Sequence, residues 1–211
     1  MTSRERMLAA ASCLNTDRQP LLAWMANDTQ ADATVSCSAT KDSMILADVP
    51  NPFGLALKKG IDLNKALKDD PTVGAAVLEE LVDEVRKSIS EGLGNGADGI
   101  FYRLHGASSK HCSPMQYGGH YLERDRELLS EPDSSVLKVL FIAAEDEPYV
   151  DFISDLPAQV FAWDMSLTNV TAADMRVSRQ GAVASSDPTS EICLVIGRDR
   201  YLETLERPES E

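Results

Sequence analysis

The sequence predicts an α/β protein built as a (β/α)8 TIM-type barrel, in compact or partly reduced form. Three observations carry this. Short apolar runs alternate with helix-period segments along the whole chain, the pattern of a parallel sheet with helices outside it. Roughly eight such runs can be counted, enough to close a barrel near the ~200-residue lower limit of that fold. Several runs exit into a polar or acidic residue, where α/β proteins place their chemistry.

The elements follow in order. Thr2 and Glu5 form a capping box for a helix over 2–14, with Met7, Leu8, Ala11 and Leu14 on one face. After Pro20 the run 21–25 is a buried-type strand, and 33–37 is a second, short one. Residues 44–47 form a strand that runs into Asp48. The prolines and glycine of 49–54 predict a loop, and 55–68 a helical turn or two. Asp70 and Pro71 open a long helix. Its Val73, Val77, Leu81, Val85, Ile89 and Leu93 recur every four residues, and Gly92, Gly94 and Gly96 end it.

Residues 99–104 are a strand, followed by a polar loop. Ser113, Pro114 and Gln116 then make a second capping box, opening a helix over 114–130. The most hydrophobic run, 136–143, is a strand. A short helix at 149–153 and a strand at 159–163 ending in Asp164 come next. A helix at 172–175, a strand at 181–184 leading to Asp187, and a last strand at 193–196 follow. A helix at 199–205 completes one domain over 1–205, and 206–211 is a polar tail.

The chain has 211 residues, 43% hydrophobic and 26% charged, with a net charge of −14. Such a field repels polyanions, so nucleic acid and anionic membrane are not expected partners. No run approaches the ~18 apolar residues of a membrane span. The opening MTSRERMLAA carries no signal-peptide pattern. Cys13, Cys37, Cys112 and Cys193 are widely spaced, which fits a reduced, cytoplasmic setting. No Walker loop, Rossmann glycine pattern, G-x-S-x-G or H-E-x-x-H occurs.

Residues 96–121, GADGIFYRLHGASSKHCSPMQYGGHY, hold all three histidines and Cys112. His105, at a strand end, suits acid–base work because histidine titrates near neutrality. His105, His111, Cys112 and His120 are Zn²⁺-competent side chains in a spacing that matches no standard site. Exposed loop histidines are the plainer account of them, and no metal is assigned.

Three stretches resemble the uroporphyrinogen decarboxylase family, whose superfamily includes cobamide-dependent methyltransferases. They are TSRERMLAA with DRQPLLAWM, MILADVPNPFGLAL, and GADGIFYRLHGASSKHCSPMQYGGHYLERD. The resemblance implies a (β/α)8 barrel with its site at the C-terminal rim. It puts Asp48 at the position of a catalytic aspartate and Tyr121 at that of an active-site tyrosine. More weakly, VFAWD and GAVASSDPT turn Asp164 and Asp187 toward the same cleft. It implies decarboxylation of a tetrapyrrole or another carboxylated small molecule without a cofactor, and a homodimer.

The chain also departs from that pattern. It is short, with the shortening expected between Leu57 and Pro71. The arginine-rich loop after the first strand is absent, and so is the His-x-Cys zinc pattern of the methyltransferase branch. An acidic mouth on a protein of charge −14 repels an octacarboxylate such as uroporphyrinogen. Arg103, Arg198 and Arg200 are the residues that could offset this, and Asp164, Asp187, Arg103 and Arg198 are the expected substrate contacts. Three hypotheses fit: a decarboxylase-like enzyme using Asp48, Tyr121 and His105, a cobamide-linked methyltransferase, and a non-catalytic barrel that binds a small molecule or a partner.

Overall fold

The computed structural model describes residues 1–26, 28, 30–35, 42–144 and 146–197. Eight parallel strands close into a barrel in sequence order. They are β1 (Leu21–Trp24), β2 (Ala33–Val35), β3 (Met44–Pro50), β4 (Gly99–Leu104), β5 (Leu137–Ile142), β6 (Val160–Trp163), β7 (Ala182–Ser185) and β8 (Ile192–Ile196). Closure is made by β8 pairing with β1, Leu21 opposite Cys193 and Trp24 opposite Ile196. The expected helix 199–205, Arg198, Arg200 and the tail lie outside the described residues. Among the described residues no helix is long and apolar enough to cross a membrane.

The period-2 rule sorts each strand into an inner and an outer face. Leu22, Trp24, Met44, Leu46, Phe101, Val139 and Phe141 belong to one buried cluster, the barrel interior. Ile100, Tyr102, Leu104, Leu140, Phe161 and Trp163 belong to a second, between the barrel and its helices. Trp24 packs against Phe101 and Phe141 with ring centroids 5.1 and 4.6 Å apart. The interior is therefore a filled core rather than a pore.

Helix α1 (Ser3–Ala11) is shorter than expected, and its buried face differs. Leu8 and Leu14 are exposed, while Arg6 is buried. The reason is electrostatic. Arg6 Nε donates to Asp17 at 2.6 Å, and its Nη1 pairs with the fully buried Asp32 just before β2. Met7, Ala10 and Ala11 join the interior cluster. Arg4 pairs with Asp98 ahead of β4. Helix α1 thus lies at the N-terminal end of the barrel, away from the strand exits.

The 49–54 segment is not a loop. The β3–β4 ladder continues to Pro50 opposite Arg103. Asn51 then caps α2 (Pro52–Lys58), its Oδ1 accepting from Gly54 N at 2.8 Å, and Pro52 suits the first helical position. Helices α3 (Leu63–Asp69) and α4 (Pro71–Gly94) follow. A Cβ at Gly74 would meet Leu67 backbone at 2.6 Å, so glycine lets α3 and α4 approach closely. On α4, Val73 is exposed while Gly74, Leu78, Leu81, Val82, Val85 and Ile89 are buried. A strict four-residue row drifts by about 40° per step on a 3.6-residue helix, so its ends leave the buried face.

After β4 come α5 (Pro114–Gln116), one π-helical turn at Tyr117–Tyr121, and α6 (Leu122–Ser130). The turn contains Gly118 and Gly119; such turns interrupt α-helices locally. Helices α7 (Val150–Ile153) and α8 (Ala172–Ser178) complete the set. The interval between Leu57 and Pro71 holds the end of α2 and the whole of α3. The connections 25–32, 36–43 and 186–191 are each shorter than the dozen or so residues of an ordinary crossover. No strand is missing.

Candidate functional site

Asp48 and Arg103 stand two residues beyond Leu46 and Phe101, so they share the inward face at the C-terminal end of the barrel. Arg103 Nε donates to Asp48 Oδ1 at 2.6 Å, with 18% and 16% of the two side chains exposed. Trp24 Nε1 donates to Asp48 Oδ2 at 3.4 Å. Among the described residues, Arg103 makes no other side-chain hydrogen bond. Its two η nitrogens remain to engage a ligand, in the planar fork that suits a carboxylate. A charge pair at the end of an apolar barrel core is costly in desolvation, so stability alone is a poor reason for its presence.

The other expected site residues lie elsewhere. His105 is buried under α2, where a Cβ on Gly54 would meet its Cδ2 at 2.4 Å. Burial, then the charges of Arg103 and His111, push its imidazole down to about 3. A ring held so low stays neutral at physiological pH, which counts against the expected acid–base role. Tyr121 is buried in the π turn, its hydroxyl donating to Asn64 Oδ1 at 2.8 Å and its ring edge-on to Phe53 at 5.1 Å. Burial, then the Cys112 and Asp62 charges, raise its phenol.

Asp164 Oδ1 accepts from Ser166 N at 2.9 Å and Ser166 Oγ at 2.6 Å. Asp187 Oδ1 accepts from Thr189 N and Oγ1 at 2.8 and 2.7 Å. Both carboxylates hold the turns that follow β6 and β7. Arg198 lies outside the described residues.

The zinc-competent residues do not converge. His120 is exposed, Cys112 is buried beside Asn64, and His111 packs near Phe53. Among the described residues no three His, Cys, Asp or Glu side chains are placed to hold a metal.

Two open clefts lie on the loops beyond the strand ends. One, of about 310 Å³, is lined by Phe53, Leu57, Ile61, Asp62, Asn64, Lys110 and His111. The other, of about 450 Å³, is lined by Ser109, Glu147, Tyr149, Phe152 and Val170. Neither is lined by Asp48 or Arg103. Cleft volume and charge placement thus point to different places. The barrel mouth is the stronger candidate, because among the described residues a carboxylate, a guanidinium and an indole N–H meet there.

Behind the mouth sits a cluster that the sequence did not single out. Asp125 on α6 is fully buried. It accepts from Tyr102 OH at 2.7 Å, Tyr117 OH at 2.9 Å and Asn51 Nδ2 at 3.2 and 3.3 Å. Burial pushes its carboxyl up to about 7, against the lowering effect of these donors. The signal was present in the spacing. Asp125 lies between Leu122 and Leu128–Leu129, on the apolar stripe of its helix.

These features define the molecule by class: an eight-stranded parallel α/β barrel with an ion pair at its C-terminal mouth. In fold it is similar to a solved methyltransferase from Methanosarcina mazei, with a TM-score of 0.58 and 14% identity over 69% of this chain. This chain spans 43% of that protein's length. No family model and no curated protein sequence matches the chain.

Proposed function

We propose that the chain binds a carboxylated small molecule at the barrel mouth and decarboxylates it without a cofactor. The observation behind this is the Asp48–Arg103 pair, with the Trp24 N–H on the same carboxylate and the Arg103 fork open. Arg103 holds a substrate carboxylate. Asp48, an acceptor-only group, orients an N–H or a developing positive charge on the substrate. Loss of CO₂ leaves the bonding electron pair on the substrate carbon, which then takes a proton. This is the chemistry implied by the sequence resemblance to the uroporphyrinogen decarboxylase family.

Methyl transfer is the second reading, favoured by the fold likeness to the Methanosarcina mazei methyltransferase. A barrel that binds without turnover is the third. Titration with uroporphyrin, coproporphyrin, simple tricarboxylates and a cobamide, followed by Trp24 fluorescence, separates the three. Saturable quenching by a carboxylated ligand, with CO₂ release from its reduced form or analogue, supports the first. Binding of the cobamide alone supports the second. Carboxylate binding without turnover supports the third, and no binding at all defeats the assignment of the mouth.

A further inference from the structure

Asn51 joins the buried Asp125 cluster to the mouth. Its Nδ2 donates to Asp125 and to His105 O at 3.1 Å. Its Oδ1 accepts from His105 N at 3.1 Å and Gly54 N at 2.8 Å. Its backbone N–H donates to Arg103 O at 2.9 Å. Asn51 is three residues beyond Asp48, and Tyr102 is the neighbour of Arg103. The same clasp therefore fixes the ends of both strands that carry the mouth pair.

As a carboxylate, Asp125 matches its surroundings, since each oxygen accepts from one tyrosine and from Asn51. A proton on either oxygen turns an acceptor into a donor. At least one hydroxyl or the Asn51 amide must then rotate or withdraw. Among the described residues the donors to Asp125 are neutral, with no cation bonded to it to hold the carboxylate ionised. Tyr102 faces Asp125 from β4, Tyr117 from the π turn and Asn51 from the β3–α2 junction. Beyond Tyr117 lie the Cys112 thiol and Arg126, whose guanidinium is engaged by Asp155 and Glu123. Helix α4 meets α6 through the exposed pairs Glu79–Arg124 and Arg86–Glu131.

We infer that Asp125 is a positioning residue for the barrel mouth: protonation of this buried carboxyl shifts the Asn51 clasp and, through it, the Asp48–Arg103 pair. The inference rests on the mouth being the functional site. The transition falls in the neutral range, where burial places this carboxyl, and it makes ligand affinity pH-dependent.

The test needs no ligand. Trp24 contacts Asp48, so its emission is recorded in a Trp163→Phe background from about pH 5 to about pH 9, a span that lies above the ordinary carboxyl range and covers the ordinary imidazole range. The infrared carbonyl band of a protonated carboxyl is followed in parallel. A sigmoidal change in emission, with the infrared band lost at the same midpoint, is expected. Asp125→Asn abolishes both. Tyr117→Phe removes a donor to the carboxylate and moves the midpoint to higher pH.

Flat emission, or a transition unchanged in Asp125→Asn, overturns the inference. Should Asp125→Asn not fold, Tyr117→Phe decides: an unmoved midpoint overturns it. Ligand titrations on the same protein keep the two proposals apart. Absent binding sinks the proposed function, and pH-flat emission with intact binding sinks only this inference.

Discussion

Arg103 occupies the inner face of β4 and, among the described residues, is engaged through its Nε alone, so its replacement is informative. Arg103→Gln removes a charge-assisted contact worth about 1.5–3 kcal/mol, and affinity for a carboxylated ligand should fall roughly 10- to 100-fold. Arg103→Lys restores charge without the fork, and recovers only part of that affinity. Unchanged binding in both variants would remove Arg103 from the site. His105 gives a second prediction at this scale. Its burial depresses the imidazole to about 3, so its ¹⁵N shifts should stay those of the neutral ring through physiological pH. A mid-range titration of His105 would contradict the buried geometry.

At the scale of elements, the β3–α2 junction carries the most consequence. Asn51 caps α2 and ties it to His105 and Asp125. Asn51→Ala loses the cap, about 1 kcal/mol, and also leaves buried partners unmet at about 1–3 kcal/mol. Urea unfolding should therefore show a loss of roughly 2–4 kcal/mol; a loss within error would deny the clasp a structural role.

The sign of two pH effects differs here. Asp125 is raised from 3.8 to about 7. Between those values the folded state holds a proton the unfolded chain has released, so stability falls as pH rises. His105 is lowered from 6.5 to about 3, so its contribution is complete above 6.5 and lost as pH falls. The two slopes oppose each other between about pH 4 and 6.5. In Asp125→Asn the opposing carboxyl slope is gone, and stability should drop more steeply with acid than in the parent, the difference being up to about 1.4 kcal/mol per pH unit. Equal slopes in both proteins would count against the burial of Asp125.

This junction also marks the limit of what the sequence revealed. Prolines 50 and 52 with Gly54 read as a loop, because their helix-starting role depends on Asn51 and on a ladder that tertiary pairing extends to Pro50. Asp48 was legible as a strand-exit carboxylate, but its partner Trp24 was not. Nothing local shows that two strands so far apart aim at one point. Tyr121 and His105 carried the right residue types in a plausible segment, and burial took them out of solvent. Asp125 was overlooked because a charged residue within LERDREL looks solvated until its spacing is compared with the leucines around it.

For the molecule as a whole, the barrel separates the two tryptophans. Trp24 lies inside the ring beneath Asp48. Trp163 lies outside it, with Nε1 donating to Val170 O at 2.9 Å. Ligand quenching should persist in Trp163→Phe and vanish in Trp24→Phe; the reverse result would move the ligand out of the mouth and toward the outer clefts. The fold class and the succession of strands were legible in the alternation of apolar runs with helix-period segments. The short connections were not, since a segment's length shows its economy only once its flanking strands are known to be neighbours.

The seam between β1 and β8 has a consequence for how the ring is assembled. These strands come from opposite ends of the described chain, yet they pair residue for residue. Contacts so distant in sequence form late and slowly. During synthesis, seven strands emerge as an open sheet with two bare edges, and a bare edge invites pairing with another chain. Residues 192–196 are therefore the latch of the ring. Removing them should leave a nascent chain that aggregates rather than a smaller stable barrel, which expression of a chain ending before 192 and a sedimentation assay would reveal.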